Sequence, residues 1–311
     1  GVYMNSTVYI NGHKLGTRPY GYVSFSYDLT PFIKWGEENV IAVRVDNAEQ
    51  PNSRWYSGCG IYRNVWLTKM NPVHVAQWGT YVTAEEVSKH SARLRICTQL
   101  QYDVELHRPD SVRQDDGTYA VFEQEIIPLD VDVILRSRLV DADGDVVGEA
   151  VSEHRVMPAV PDEAEQEILL ENPNLWSIDT PYIYKVETIL QDKATGKVLD
   201  TYCTPLGIRT FRFDEQKGFI LNGEQVKING VCMHHDLGCL GAAVNIRAIR
   251  RQLEILKEMG CNGIRCSHNP PAPELLDLCD RMGFIVMDET FDMWRKKKTR
   301  HDYSRYFDEW H

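Results

Sequence analysis

NGIRCSHNPPAPELLDLCDRMGFIVM, residues 262–287, places a polar and charged cluster at the end of a buried strand. Arg265, Ser267 and His268 follow an apolar step at Gly263 and Ile264, and Pro270, Pro271 and Pro273 stop the strand and open a helix. Leu275, Leu276, Leu278 and Cys279 give that helix an apolar face, Gly283 ends it, and residues 284–287 are apolar throughout, as a buried strand requires. The unit reads strand, loop, helix, strand, with its polar groups at the strand's C-terminal end, where α/β barrels keep their chemistry.

The same grammar reaches upstream to about residue 213. A short hairpin, GFILNGEQVKING (218–230), precedes the apolar step Val231, Cys232, Met233 and the polar cluster His234, His235, Asp236. A helix is expected over 245–259, with Ile246, Ile249, Leu253, Leu256 and Met259 on one side. Strand and helix alternate at the ~30-residue pace of βα units. Polar residues recur after each strand: His234 and Asp236, then His268 and Asn269, then Asp288 and Glu289. One mouth collects them. A closed barrel needs ~250 residues, so the 218–311 stretch holds about three units of it.

Upstream of that, the pattern is β alone. Residues 72–212 run through VHVAQWGTYVT, ARLRICTQL, VDVILRSRLVDADGDVV, AEQEILL, YIYKVETIL and KVLDTYCTPLGIRTFRF, with turns at Asp143–Gly144 and Thr195–Gly196. Residues 101–125 are polar and poorly periodic, a long loop or a strand pair projecting from an edge. Residues 1–71 offer TVYIN, YVSFSYDL, NVIAVRV and YRNVWLTK as strands, the first turned at Asn11 and Gly12. The expected fold is multidomain, β plus α/β. Residues 1–71 would be the C-terminal part of a jelly-roll-type β-sandwich, 72–212 an immunoglobulin-like β-sandwich, and 213–311 the first part of a TIM barrel. The chain opens inside a sheet and ends on a helical start without a stop signal, so it reads as a middle portion of a longer polypeptide.

With 311 residues, 43% hydrophobic and 25% charged, the chain can bury two or three cores of ordinary size. Its net charge of -11 argues against a nucleic-acid partner, whose sites concentrate Lys and Arg. The one basic run, 295–298 with Arg300, reads as a solvated loop rather than a polyanion site. The cysteines, at 59, 97, 203, 232, 239, 261, 266 and 279, form no ligand-spaced pair, and those of the last third fall in apolar segments, so buried free thiols are expected rather than disulfides. No run approaches the ~18 apolar residues of a membrane span, and nothing selects a compartment.

The order of sandwich, immunoglobulin-like sandwich and barrel start resembles glycoside hydrolase family 2, which contains β-galactosidases, β-glucuronidases and β-mannosidases. Residues 262–287 carry the strongest likeness. Asn262, Arg265, Cys266, Ser267, His268, Pro270, Asp280 and Gly283 meet the family signature, while Asn269 stands where it has Tyr. GFILNGEQVKINGVCMHHD resembles the family's first barrel strand, with His234 at its substrate-facing histidine. DLTPFIKWGEENVIAVRVDN and SRWYSGCGIYRNVWL are similar to its sugar-binding-type domain.

The resemblance implies retaining hydrolysis of a β-glycoside by two Glu residues, one acid/base and one nucleophile, ~5 Å apart. In the family the first follows an Asn at the end of the fourth barrel strand and the second lies later. No Asn-Glu pair occurs after Met287, so both are expected beyond His311, and this chain alone is expected to be inactive. His234 and His268 are the implied sugar-binding histidines, with Asn269, Asp236, Asp292 and Trp294 also lining the pocket. Arg265, Asp288 and Glu289 brace it. Asn52, Arg54 and Trp55 of the first sandwich reach towards the mouth, burial of Trp55 being the competing reading.

The DETFDMW segment and the HHDLG turn are most similar to the β-galactosidase-like members, so the implied partner is a β-galactoside or related carbohydrate. Neither nucleic acid nor membrane is implied, and self-association of the longer protein stays open. No cofactor is expected. Some members use magnesium, but Met293 and Arg295 stand about where its ligands would be. A metal-dependent hydrolase built on His234, His235, Asp236, His268 and Asp288 is a competing chemistry, disfavoured because adjacent strand residues face opposite ways. A non-catalytic carbohydrate-binding module is a third reading.

Overall fold

The computed structural model describes residues 1–104, 111–113, 119–121 and 129–310. The chain packs as two units: Gly1–Leu67 with Val226–His311, and Thr68–Gln225.

In the first unit, the N-terminal strands are β1 (Val2–Tyr3), β2 (Ser6–Ile10), β3 (His13–Arg18), β4 (Ile41–Arg44) and β5 (Gly60–Ile61). They form a sheet in the order β3-β2-β4 and a separate β1-β5 pair, all antiparallel. Asn11 (φ 49°) and Gly12 (φ 86°) turn β2 into β3, the two positive φ values that a tight hairpin needs. Two expected strands are missing. Residues 22–29 carry no strand, and of the YRNVWLTK stretch and its approach only Gly60 and Ile61 pair. Side chains tie these segments instead: Tyr62 donates its hydroxyl to the Gly21 carbonyl at 2.8 Å and Arg63 Nη1 donates to the Tyr22 carbonyl at 2.8 Å.

The second unit holds β6 (Val73–Glu85), β7 (Ser91–Tyr102), the short antiparallel pair β8 (Ser111–Arg113) and β9 (Tyr119–Val121), β10 (Val131–Val140), β11 (Val146–Val156), β12 (Asp162–Glu171), β13 (Tyr184–Asp192) and β14 (Val198–Leu206). A four-stranded sheet, β11-β10-β13-β14, and a three-stranded sheet, β12-β7-β6, make the sandwich. Alternation decides which residues face inward. Leu94 and Ile96 of β7, Ile168 of β12, Leu139 of β10 and Val186 of β13 meet in one core, and Val75, Leu100, Val133, Leu135 and Leu190 in a second. Each such side chain contributes about 1.5–3 kcal/mol when fully buried. A small antiparallel meander, β15 (Phe211–Asp214), β16 (Gly218–Leu221) and β17 (Glu224–Gln225), follows. Of the polar stretch expected to project from an edge, β8 and β9 do pair, while residues 105–110, 114–118 and 122–128 lie outside the described residues.

Back in the first unit, β18 (Gly230–Met233), α1 (Ile246–Glu258), β19 (Gly263–Cys266), α2 (Pro273–Met282) and β20 (Ile285–Met287) alternate, and the strands lie parallel in the order β18-β19-β20. Asn245 caps α1 by accepting from the Ala248 N–H at 3.0 Å. Pro273 opens α2 and Gly283 closes it at φ 70°, a left-handed cap. Ile249, Leu253, Ile264, Cys266, Cys279 and Phe284 form the core between helices and sheet. Ile246 and Met259, expected on the same helix face, are exposed because they sit at the two ends of the stripe. All eight cysteines are free, but only Cys266 and Cys279 are buried. Cys232 and Cys239 are exposed, Cys232 because strand alternation turns it to the sheet face opposite the helices.

Candidate active site

Parallel register sets the site. Cys232, Arg265 and Met287 are direct neighbours across β18, β19 and β20, and they share the face turned away from the helices. Ile264 and Cys266 point the other way, into the helical core. The polar residues expected at the mouth follow immediately at the strands' C-terminal ends.

Glu289 is the hub. Its Oε1 accepts from Arg265 Nε, and its Oε2 lies 2.8 Å from His268 Nδ1. A carboxylate only accepts, so the Nδ1 proton of His268 points at Glu289 and Nε2 is left as the ring's remaining hydrogen-bonding atom. Arg265 Nη2 stands 3.2 Å from the same Nδ1, a contact rather than a donation, because that nitrogen already carries a proton. Arg265 Nη1 reaches Cys232 Sγ at 3.5 Å. This donation, with the nearby Ser267, holds the Cys232 thiol below its usual range. Both Glu289 oxygens are thus engaged within the site.

A tryptophan from the connection between β4 and β5 completes the wall. The Trp55 ring stacks on His234 (centroids 5.5 Å, 26° between planes) and tilts against His268 at 5.4 Å, while the two histidines meet edge-on at 5.6 Å. Trp55 Nε1 donates to Tyr22 Oη at 3.0 Å. The neighbouring Arg54 donates from Nη2 to both carboxylate oxygens of Asp292, at 3.0 and 3.1 Å. Lys298 Nζ binds the same carboxylate at 2.8 Å, so the basic run is not solvated throughout; Arg295 pairs with Asp308 at 2.8 Å.

The other expected residues divide. Asp236 is exposed and only loosely held, its Oδ1 3.5 Å from the Gly238 N–H. Asp288 is exposed beside Glu289 without contacting Arg265, and partial burial raises its carboxyl above the usual range. Trp294 is 56% exposed and makes T-shaped contacts with Phe291 and Phe307. Asn269 is fully buried, and its Oδ1 accepts from Tyr20 Oη at 2.6 Å and Tyr303 Oη at 2.8 Å, so it is not presented to the mouth. Asn52 is equally enclosed, accepting from Tyr3 Oη at 3.0 Å and donating to Asn47 Oδ1 at 2.6 Å. A substrate cannot reach either amide in this arrangement. His235 turns inward against Tyr22, with centroids 4.8 Å apart, and burial lowers it to about 3. The metal-capable set does not converge. Among the described residues, the group that brings three such ligand atoms within 4.8 Å of one another is Cys97, Glu163 and Glu165, in the other unit.

The sequence matches two parts of one enzyme family: residues 214–307 match "Glycosyl hydrolases family 2, TIM barrel domain", and residues 113–209 match "Glycosyl hydrolases family 2". The chain belongs to glycoside hydrolase family 2. It is 60% identical to the β-galactosidase BoGH2A of Bacteroides ovatus, over 100% of this chain and 34% of that protein. With a β-glucuronidase of Formosa agariphila it shares 34% identity over 90% of this chain and 28% of the relative. A solved family 2 structure from Bacteroides cellulosilyticus superposes with a TM-score of 0.87 at 37% identity, covering 99% of this chain and 36% of that one. The chain therefore spans about a third of the length of the family 2 relatives it matches.

Family 2 likeness placed the strand-end residues in the sequence but not the aromatic layer beneath them. Tyr3, Tyr22, Tyr62, Met293 and Tyr303 share one core with the flank of Trp55 and Tyr20. Burial there pushes the Tyr62 hydroxyl up to about 12. The only signal for this layer was the close spacing of Tyr20 and Tyr22, which nothing local distinguishes from a strand.

Proposed function

We propose that this chain carries the substrate-facing wall of a retaining β-glycosidase that removes terminal β-linked sugars, with β-galactosides the preferred class. The observation that carries the reading is the pairing of His234 and His268 at adjacent strand ends against the Trp55 ring, with His268 oriented by Glu289. Two imidazoles and an indole face suit a sugar, which offers hydroxyls to the first and C–H faces to the second. The 60% identity to a β-galactosidase supports the choice of sugar.

Glu289 is a brace in this reading, not an acid/base. A carboxylate holding Arg265 and His268 is not free to protonate a leaving group. The two reacting carboxylates then come from strands outside this chain, and the chain by itself hydrolyses nothing. The domains divide as 1–71, 72–212 and 213–311. No metal is assigned. Met293 is buried among tyrosines and Arg295 is a cation, and neither offers the oxygen ligands that magnesium takes.

The test is stereochemical. In the longer protein that contains this chain, NMR of p-nitrophenyl β-galactoside hydrolysis should show β-galactose released first, mutarotating to α only afterwards. Immediate release of α-galactose would contradict a retaining mechanism.

A further inference from the structure

We infer that Arg54, Asp292 and Lys298 form a positioning clamp that sets Trp55 against His234 and His268; the inference rests on the proposed glycosidase reading of that wall. Asp292 is buried, with its side chain 4% exposed, and two cations converge on it. Arg54 spans both of its oxygens with one guanidinium nitrogen at 3.0 and 3.1 Å, and Lys298 Nζ binds Oδ1 at 2.8 Å and the Asp292 carbonyl at 2.5 Å. A buried carboxylate is costly to leave unpaired, so this pairing favours the observed arrangement of the three groups.

That arrangement reaches Trp55 through two routes. Arg54 is the adjacent residue in the chain, and its guanidinium carbon lies 6.0 Å from the centroid of the Trp55 ring. Met293, which follows Asp292, is packed in the tyrosine core against which Trp55 rests. The Trp55 carbonyl accepts from Ser53 Oγ at 2.7 Å, and its indole Nε1 donates to Tyr22 Oη at 3.0 Å, which fixes one edge of the ring and leaves its tilt to packing. The loop carrying Asp292 is held in turn by Asp302, whose Oδ2 accepts from the Lys298 and Thr299 N–H groups at 2.6 and 2.7 Å. Arg54 and Asp292 therefore act on the substrate through the indole. They are positioning residues rather than sugar contacts.

Epistasis in the longer protein tests this. Arg54→Met should lower kcat/KM for p-nitrophenyl β-galactoside by about ten- to a hundredfold, the scale of an ångström-sized displacement in a site. Arg54→Lys, which keeps the charge but not the guanidinium geometry that places Nη2 between the two carboxylate oxygens, should fall between wild type and Arg54→Met and serves if Arg54→Met does not fold. In a Trp55→Ala background the Arg54 substitution should change kcat/KM less than about twofold, because the group through which it acts is gone. An equal loss in both backgrounds would mean that Arg54 contacts substrate directly or only stabilises the fold, and would overturn the clamp. A crystal structure of the Arg54 variant reads the same question without activity: Trp55 should leave its stack on His234, and an unmoved ring would refute the inference. If the wild-type longer protein cleaves no glycoside, the functional reading fails and the crystallographic result alone decides the clamp.

Discussion

Glu289 holds two donors with two oxygens, and that sharing is open to a clean substitution. Glu289→Gln keeps the shape, but an amide whose oxygen accepts from Arg265 turns its N–H₂ towards His268 Nδ1 and forces the imidazole into the opposite tautomer, with its proton on Nε2. The expected outcome in the longer protein is a fall in kcat/KM of about ten- to a hundredfold, with the thermal midpoint little changed; undiminished kcat/KM would show that the brace is not used. His235 makes the second prediction at this scale. Burial holds it at about 3, against an unfolded value near 6.5. Below pH 6.5 the unfolded chain binds a proton that the folded chain refuses, so its contribution is fully present above 6.5 and is lost as pH falls towards 3. Urea midpoints at pH 7 and pH 5 should differ more for the wild type than for His235→Phe; equal differences would place the pH dependence elsewhere. His234, His268 and Glu289 were legible because each follows an apolar strand. The partners of Asn269 were not: Tyr20 binds it from 249 positions away, and no local pattern encodes such a contact.

The βα units stand or fall on the helix stripe facing the sheet. Leu253 is fully buried at the centre of that stripe, and Leu253→Ala should cost about 2–5 kcal/mol. Ile246→Ala, at the exposed end of the same helix, should stay within about 0.5 kcal/mol. Denaturant unfolding compares the two, and similar losses would contradict the packing. Gly283, at φ 70°, closes α2 in a conformation that a Cβ disfavours, and its replacement by Ala should cost about 1 kcal/mol. Such elements were readable because their signals are local: a cap, an opening Pro, a closing Gly, a period. Residues 22–29 and 62–69 had a strand's composition without a strand's outcome. An alternating pattern says what a segment could bury, not whether another strand lies alongside, and here Tyr62 and Arg63 fasten the two segments through side chains.

At the scale of the molecule, the chain supplies three parallel barrel strands and the wall they carry, within a family whose matched relatives are about three times as long. The order of the folds could be read from strand and helix periodicity. The joining of Gly1–Leu67 and Val226–His311 into one unit could not, because it depends on pairs such as Arg54 with Asp292, 238 positions apart. The decisive measurement is hydrolysis of p-nitrophenyl β-galactoside, β-glucuronide and β-mannoside by the longer protein, with this 311-residue chain assayed beside it. The expected result is cleavage of the β-galactoside by the longer protein and none of the three by the chain alone. Turnover by the chain alone would contradict the reading of Glu289 as a brace, and a longer protein inert towards all three would contradict the glycosidase itself.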